Sequence, residues 1–223
     1  MNLLGIETAT EALSLAVSAA DVVYEYSMPS GQRHAELILR EIDALLARAG
    51  LGVSDLDAVA FGAGPGSFTG LRIGCGIAQG IAAARHLPVL GVSTLAALAE
   101  TAGAPRAIAC LDARMGEVYH AAFEKRQDGL QEVIPPGLHR PGEVPIPEGD
   151  GWVGCGRGFG AYREVLIARH GSRLAAVVPD MFPSAAAIVR LAAPRFATGE
   201  GLDPARAVPV YLRDRVALRT DER

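Results

Sequence analysis

Three apolar runs, LLGIET, ALSLAVSA and VVYEYSM, follow one another at the N-terminus before any helical periodicity begins, and they constrain the fold more than any other feature of the chain. ALSLAVSA alternates apolar and small polar residues as a half-buried strand does, with breaks at Glu11 and around Asp21. The period then changes. Ile38, Ile42, Leu45 and Ala49 fall on one stripe, which predicts a helix from about Gln32 to Ala49, closed by Gly50. DAVAFG at 57–62 reads as a short buried strand, GAGPGS as the loop leaving it, and 68–85 as a second helix. PVLGV is a further strand, and Ser93 or Thr94 caps a helix running to about Thr101. Three meandering strands followed by βα units imply a mixed sheet with helices against it.

Gly103-Ala104-Pro105 marks a boundary between two parts, 1–104 and 105–223. Beyond it AIACLDA, GEVYHAAFEK and LQEVIPP again read as three strands in succession, and GWVGC as a fourth. The Pro/Gly-rich stretch 135–151 is expected to be a surface loop, and FGAYREVLIARHG and SAAAIVRLAAPRFATG are expected to be helices. The second half thus echoes the first in reduced form. The order β-β-β-α-β-α-β-α is that of the domain shared by actin, sugar kinases and Hsp70 ATPases. The expected architecture is therefore an α/β, actin-like ATPase (ribonuclease H-like) duplicated fold, with two lobes and a reduced second lobe.

Composition narrows what such a chain does. Half of the 223 residues are hydrophobic, the formal charge is −4, and no Lys/Arg run exceeds two residues. A protein that grips nucleic acid alone carries a basic stripe, because phosphate neutralisation supplies most of the affinity. Cys75, Cys110 and Cys155 are odd in number and far apart, which supports neither a disulfide framework nor a zinc site. MNLLGIET lacks the flank and apolar stretch of a signal peptide. The uncharged stretches 73–84 and 87–99 fall short of the roughly 18 apolar residues that a membrane helix needs. A soluble, cytoplasmic protein is expected.

The loop Gly62–Gly70 lies between strand and helix, where phosphate-binding loops occur. It has no lysine and completes neither GxxxxGK[ST] nor GxGxxG, so a kinase reading is incompletely supported. The helix after it carries Gly70, Gly74, Gly76 and Gly80, two GxxxG spacings. Each glycine costs a helix roughly 1 kcal/mol relative to alanine, so close backbone approach must offset them. Ile73, Ile77 and Ile81 border this face. It packs either within the chain or at a subunit interface. Glu7, in the first turn, stands where actin-like ATPases carry an Asp, and no Gly follows it. His34 opens the first helix, but the i+4 position that would complete a two-histidine metal site is Ile38. Asp112 and Arg114 follow a strand, at a position where an active site is possible, and are placed to form a local ion pair, but no nucleophile or base accompanies them. A metal-dependent transferase or hydrolase centred on Glu7, His34 and Asp112 is the alternative enzymatic reading.

LLGIETATEALSLAV, GPGSFTGLRIG at 64–74, GVSTLAALAE, LDARMGEVYHA and PVYLRD together resemble the TsaB (YeaZ) family over nearly the whole chain. The resemblance implies a non-catalytic paralogue of TsaD, the subunit that transfers threonylcarbamoyl to the tRNA adenosine next to the anticodon (t6A modification). TsaD-like proteins carry H-x-x-x-H for their metal; here His34 and Ile38 occupy those places. The resemblance further implies pairing with a TsaD-like catalytic subunit or, in isolation, with itself. A TsaE-like ATPase joins through the complex, and tRNA is contacted only indirectly. Pairing uses the first two helices, which puts His34, Ile38, Gly70, Ile73, Gly74 and Ile77 at or near the interface. No catalytic residue, cofactor or metal ligand is assigned.

Overall fold

The computed structural model describes residues 1–20, 22–29, 31 and 33–213. Two five-stranded sheets share one plan. In the first, β1 (Leu3–Glu7), β2 (Ala12–Ala19) and β3 (Val22–Pro29) form an antiparallel meander. The strands β4 (Ala58–Gly64) and β5 (Val89–Ser93) then extend it in parallel from β1, in the order β3-β2-β1-β4-β5. In the second, β6 (Arg106–Arg114), β7 (Glu117–Arg126) and β8 (Gly129–His139) form the meander. Parallel β9 (Trp152–Cys155) and β10 (Leu174–Val178) extend from β6, in the order β10-β9-β6-β7-β8. The same topology occurs twice, so the fold is a duplicated, two-lobed one.

Every residue of β1 is buried because the first sheet is covered on both sides. Leu4 and Ile6 point to one face, where α1 (His34–Arg48) and α2 (Phe68–Arg85) supply Ile38, Ile42, Leu45, Cys75 and Ala78. Leu3 lies on the other face, packed with α6 (Ala185–Ala197) through Ala185, Ile188 and Val189. The second sheet is layered likewise. The helix α3 (Thr94–Ala102) covers one face with Leu95, Leu98 and Ala99. The short helices α4 (Arg157–Ala161) and α5 (Arg163–His170) place Phe159 and Leu166 on the other. A helix from each half of the chain therefore serves the other half's sheet: α3 covers the second, α6 the first, and the two helices touch.

Two local expectations are corrected. β8 continues to His139, into the stretch expected as a loop, because it stays paired to β7 through Tyr119–Leu138 and Val118–His139. The helix expected over 159–171 begins two residues earlier and breaks at Tyr162, whose φ of −127° and ψ of 39° are non-helical. The edge strand β10, mostly exposed, is an addition to the elements expected from the sequence. Gln32, the expected start of the first helix, lies outside the described residues, as do Asp21 and Asp214 of PVYLRD.

Candidate functional site

Between the lobes lies a cleft of about 1050 Å³. Its first-lobe wall comprises the β1–β2 turn, His34 and the start of α2, and its second-lobe wall includes Asp112, Arg114, Met115 and Arg157. The β1–β2 turn is locked onto α2. The Thr8 hydroxyl donates to the Gly70 carbonyl at 2.8 Å, and the Ser67 amide donates to the Ala9 carbonyl at 2.7 Å. A methyl group at Gly66 would meet Ala9, and one at Gly70 would meet the Thr8 carbonyl. The glycines that a phosphate-binding loop uses to admit its ligand are here closed against the chain's own backbone.

Glu7 lies beneath this turn with no exposure. Its Oε1 accepts the Ala9 amide at 2.6 Å, whereas Oε2 faces Gly62 without a hydrogen-bond partner. Burial raises its pKa to about 7, against the opposing effect of hydrogen bonds from the Ala9 and Thr8 amides and from Thr94. Asp112 is engaged locally: Oδ1 accepts the Arg114 amide at 2.8 Å and Oδ2 pairs with Arg114 Nη1 at 2.9 Å. Among the described residues, no group of three or more His, Cys, Asp or Glu is arranged to hold a metal ion. Glu7, His34 and Asp112 are thus not brought together as a metal centre.

The glycine helix divides into two faces. Gly70 and Gly74 point inward, and added methyl groups there would strike Thr8. Gly76 and Gly80 point outward, with nothing within 4 Å of the position a Cβ would take. Ile73 and Ile77 lie half-buried at the margin of the outward face. Ile38 is fully buried and supports the helix from within, whereas His34, 5% exposed, meets the cleft wall rather than the outward face. On α1 the large outward apolar side chain is Leu39, 55% exposed.

Two groupings escape a reading of the sequence. The segment 204–213 runs beside α2 and ties the lobes together. Gln79 donates to the Pro204 and Ala207 carbonyls, and the Val210 amide donates to the Ala63 carbonyl. Arg213 then reaches the second lobe, donating to the Ala113 carbonyl and pairing with Glu117 at 2.8 Å. The other grouping is three histidines far apart in sequence. The His120 and His170 rings stack with centroids 5.7 Å apart, and His139 meets His120 edge-on at 6.2 Å. All four ring nitrogens of His120 and His170 are buried without partners. Burial lowers their pKa values to about 3 and about 4, respectively, and neighbouring positive groups add to the shift. Only tertiary contact assembles either grouping, and neither has a sequence spacing that would reveal it.

The repeated sheet and the cleft define a two-lobed protein of the actin-like class. Residues 28–217 match the family profile described as TsaD: tRNA N6-adenosine threonylcarbamoyltransferase. The tRNA threonylcarbamoyladenosine biosynthesis protein TsaB of Escherichia coli is 37% identical over 98% of this chain and 97% of its own length. The protein of the same name from Haemophilus influenzae is 34% identical over 98% of this chain and 96% of its own. The solved structure of YeaZ from Pseudomonas aeruginosa superposes with a TM-score of 0.88 at 38% identity, covering 95% of this chain and 99% of that one. The chain belongs to the TsaB (YeaZ) family. Among the described residues no helix is long and apolar enough to cross a membrane.

Proposed function

We propose that this chain acts in threonylcarbamoylation of the tRNA adenosine next to the anticodon, as a non-catalytic scaffold that pairs with a TsaD-like catalytic subunit. The outward face of α2 carries the reading. Among the described residues Gly76 and Gly80 have no contact that explains them, yet each costs the helix roughly 1 kcal/mol. A partner helix approaching closely over Ile73 and Ile77 supplies the missing reason. Of the six positions tied to pairing by family resemblance, Ile73 and Ile77 reach this face. Ile38, Gly70 and Gly74 shape it from behind, and His34 meets the cleft wall.

The non-catalytic reading is supported by Ile38, buried where a metal-binding relative has histidine, and by the occupied space in front of Gly66 and Gly70. A net charge of −4 favours contact with tRNA through the partner rather than directly. A TsaE-like ATPase joins through the complex, in the cytoplasm, and the free chain pairs with itself through the same face.

The test is to mix the purified chain with the TsaD-like and TsaE-like proteins of its own organism. The complex mass and the yield of modified tRNA are then measured. The chain alone makes no modified tRNA, and it forms a defined complex that restores activity to the mixture. Gly76→Leu abolishes the complex and retains a cooperative melt. Absence of both complex and stimulation overturns the reading.

A further inference from the structure

The outward row of α2 continues past its glycines. Arg72 lies one turn before Gly76, and Phe68 one turn before Arg72; all three are exposed. The Arg72 guanidinium carbon lies 3.8 Å from the centroid of the Phe68 ring, and Nε donates to the Tyr211 hydroxyl at 3.2 Å. The Phe68 and Tyr211 rings are 5.4 Å apart at 38°. Both are large and exposed, 37% and 42%, although aromatics are scarce in this chain. Among the described residues Arg72 has no carboxylate partner, and its two Nη groups make no hydrogen bond. Its neighbours around the cleft are paired: Arg114 with Asp112, Arg157 with Glu11 and Asp180, Arg213 with Glu117.

A free arginine on a surface samples many rotamers, and its ordering opposes binding. Here one face is stacked and Nε is engaged, so the outer edge of the fork is held in place before any partner arrives. Such an edge fits one carboxylate in two-point contact. Phosphate recognition along a nucleic acid needs several available cations, whereas Arg114, Arg157 and Arg213 of the adjoining cleft wall are already engaged by Asp112, Glu11, Asp180 and Glu117. A single available guanidinium therefore fits one protein carboxylate better than a run of phosphates.

We propose that Arg72 is a partner-recognition residue, positioned by Phe68 and Tyr211 to take an Asp or Glu of the catalytic subunit about one helical turn from the close approach at Gly76. This rests on the pairing face proposed above and adds to it a polarity and a required charge. The partner helix must set an acidic side chain toward the N-terminal end of α2 and small residues beside Gly76 and Gly80.

The experiment measures the affinity of the chain for its TsaD-like subunit at low and high salt, for the wild type and for Arg72→Ala, Arg72→Glu, Tyr211→Phe and Gly76→Leu. The melting temperature of each free variant is recorded. Arg72→Ala is expected to weaken pairing about tenfold and flatten its salt dependence, and Arg72→Glu to weaken it further. Tyr211→Phe, which loses only the hydroxyl, should weaken it about threefold at an unchanged melting temperature. If Arg72→Ala pairs as the wild type does while Gly76→Leu fails to pair, the recognition role is overturned and the face stands. If Gly76→Leu also pairs normally, the face itself is wrong. If Arg72→Ala leaves pairing intact and instead weakens tRNA binding by the complex, the residue serves nucleic acid and the proposal is lost. Should Arg72→Ala melt early, Arg72→Gln keeps a planar amide on Phe68 without the charge. Wild-type affinity in Arg72→Gln overturns the proposal equally.

Discussion

The Thr8 hydroxyl donates to the Gly70 carbonyl at 2.8 Å and thereby fastens the β1–β2 turn to the first turn of α2. The fit leaves no room for a side chain at Gly70, where a methyl group would collide with the Thr8 carbonyl, a backbone atom of the β1–β2 turn. Gly70→Ala is therefore expected to destabilise the fold by about 1–3 kcal/mol, the usual cost of overpacking. Urea unfolding would reveal it as a lower midpoint at unchanged slope. Wild-type stability in Gly70→Ala would mean that the turn is not closed on the helix.

Gly80 and Gly76 make the opposite case. Each lies inside a helix with open space around it. Gly76→Ala and Gly80→Ala should each raise the stability of the free chain by about 0.5–1 kcal/mol. If the outward face is the pairing surface, the same substitutions weaken pairing, because an added methyl group holds the partner backbone away. Unfolding and pairing assays on one preparation test both effects. A stabilised variant that pairs with undiminished affinity would separate the glycines from the interface.

Four glycines in one helix announce close approach on the sequence alone, but their division into inward and outward pairs is not legible there. Gly70 and Gly74 are set against Thr8 by the hydrogen bond between strand β1's turn and α2, a contact 62 residues apart. The meander-then-βα order did indicate the architecture, because apolar period and turn residues act locally. It could not indicate that α3 and α6 cover each other's sheets, since a buried helix looks the same whichever sheet it packs on. Tyr211 lies in a segment without regular structure and acquires meaning only beside Phe68 and Arg72. The three histidines meet only after β7, β8 and α5 are packed.

The β6–β7 hairpin holds Arg114 at φ +61° and Met115 at φ +55°, two successive non-glycine residues in the left-handed region. Each pays roughly 1 kcal/mol for that conformation, and Asp112 sustains it by accepting the Arg114 amide. Met115 is 62% exposed, so little packing is lost on its removal. Met115→Gly should stabilise the chain by about 0.5–1 kcal/mol, and Asp112→Ala should destabilise it by about 1–2 kcal/mol. Thermal unfolding of the two variants distinguishes them by sign. A Met115→Gly protein that melts lower than wild type would show that Met115 makes contacts worth more than its strain.

Stability should also depend on pH through two buried systems of opposite sign. Glu7 has its pKa raised from 4.5 to about 7, so the folded chain holds a proton that the unfolded chain releases above pH 4.5. Its contribution is complete below that point and is lost as pH rises toward 7, at about 1.4 kcal/mol per pH unit. His120 and His170 are lowered to about 3 and about 4, so below pH 6.5 the unfolded chain takes up protons that the folded one does not. Their contribution is complete above 6.5 and is lost as pH falls toward 4. Two histidines outweigh one glutamate until the slopes cancel, which puts the maximum near pH 7, with a steep acid limb and a nearly level course beyond it. Glu7→Gln keeps an oxygen to accept the Ala9 amide and removes the titrating proton. Its stability should therefore rise by about 0.7 kcal/mol between pH 6.5 and 7.5, where that of the wild type stays nearly level because the glutamate and histidine contributions cancel. Free energies of unfolding across pH 4–8 test this, and parallel curves for the two proteins would show that Glu7 is ionised in the native state at neutral pH.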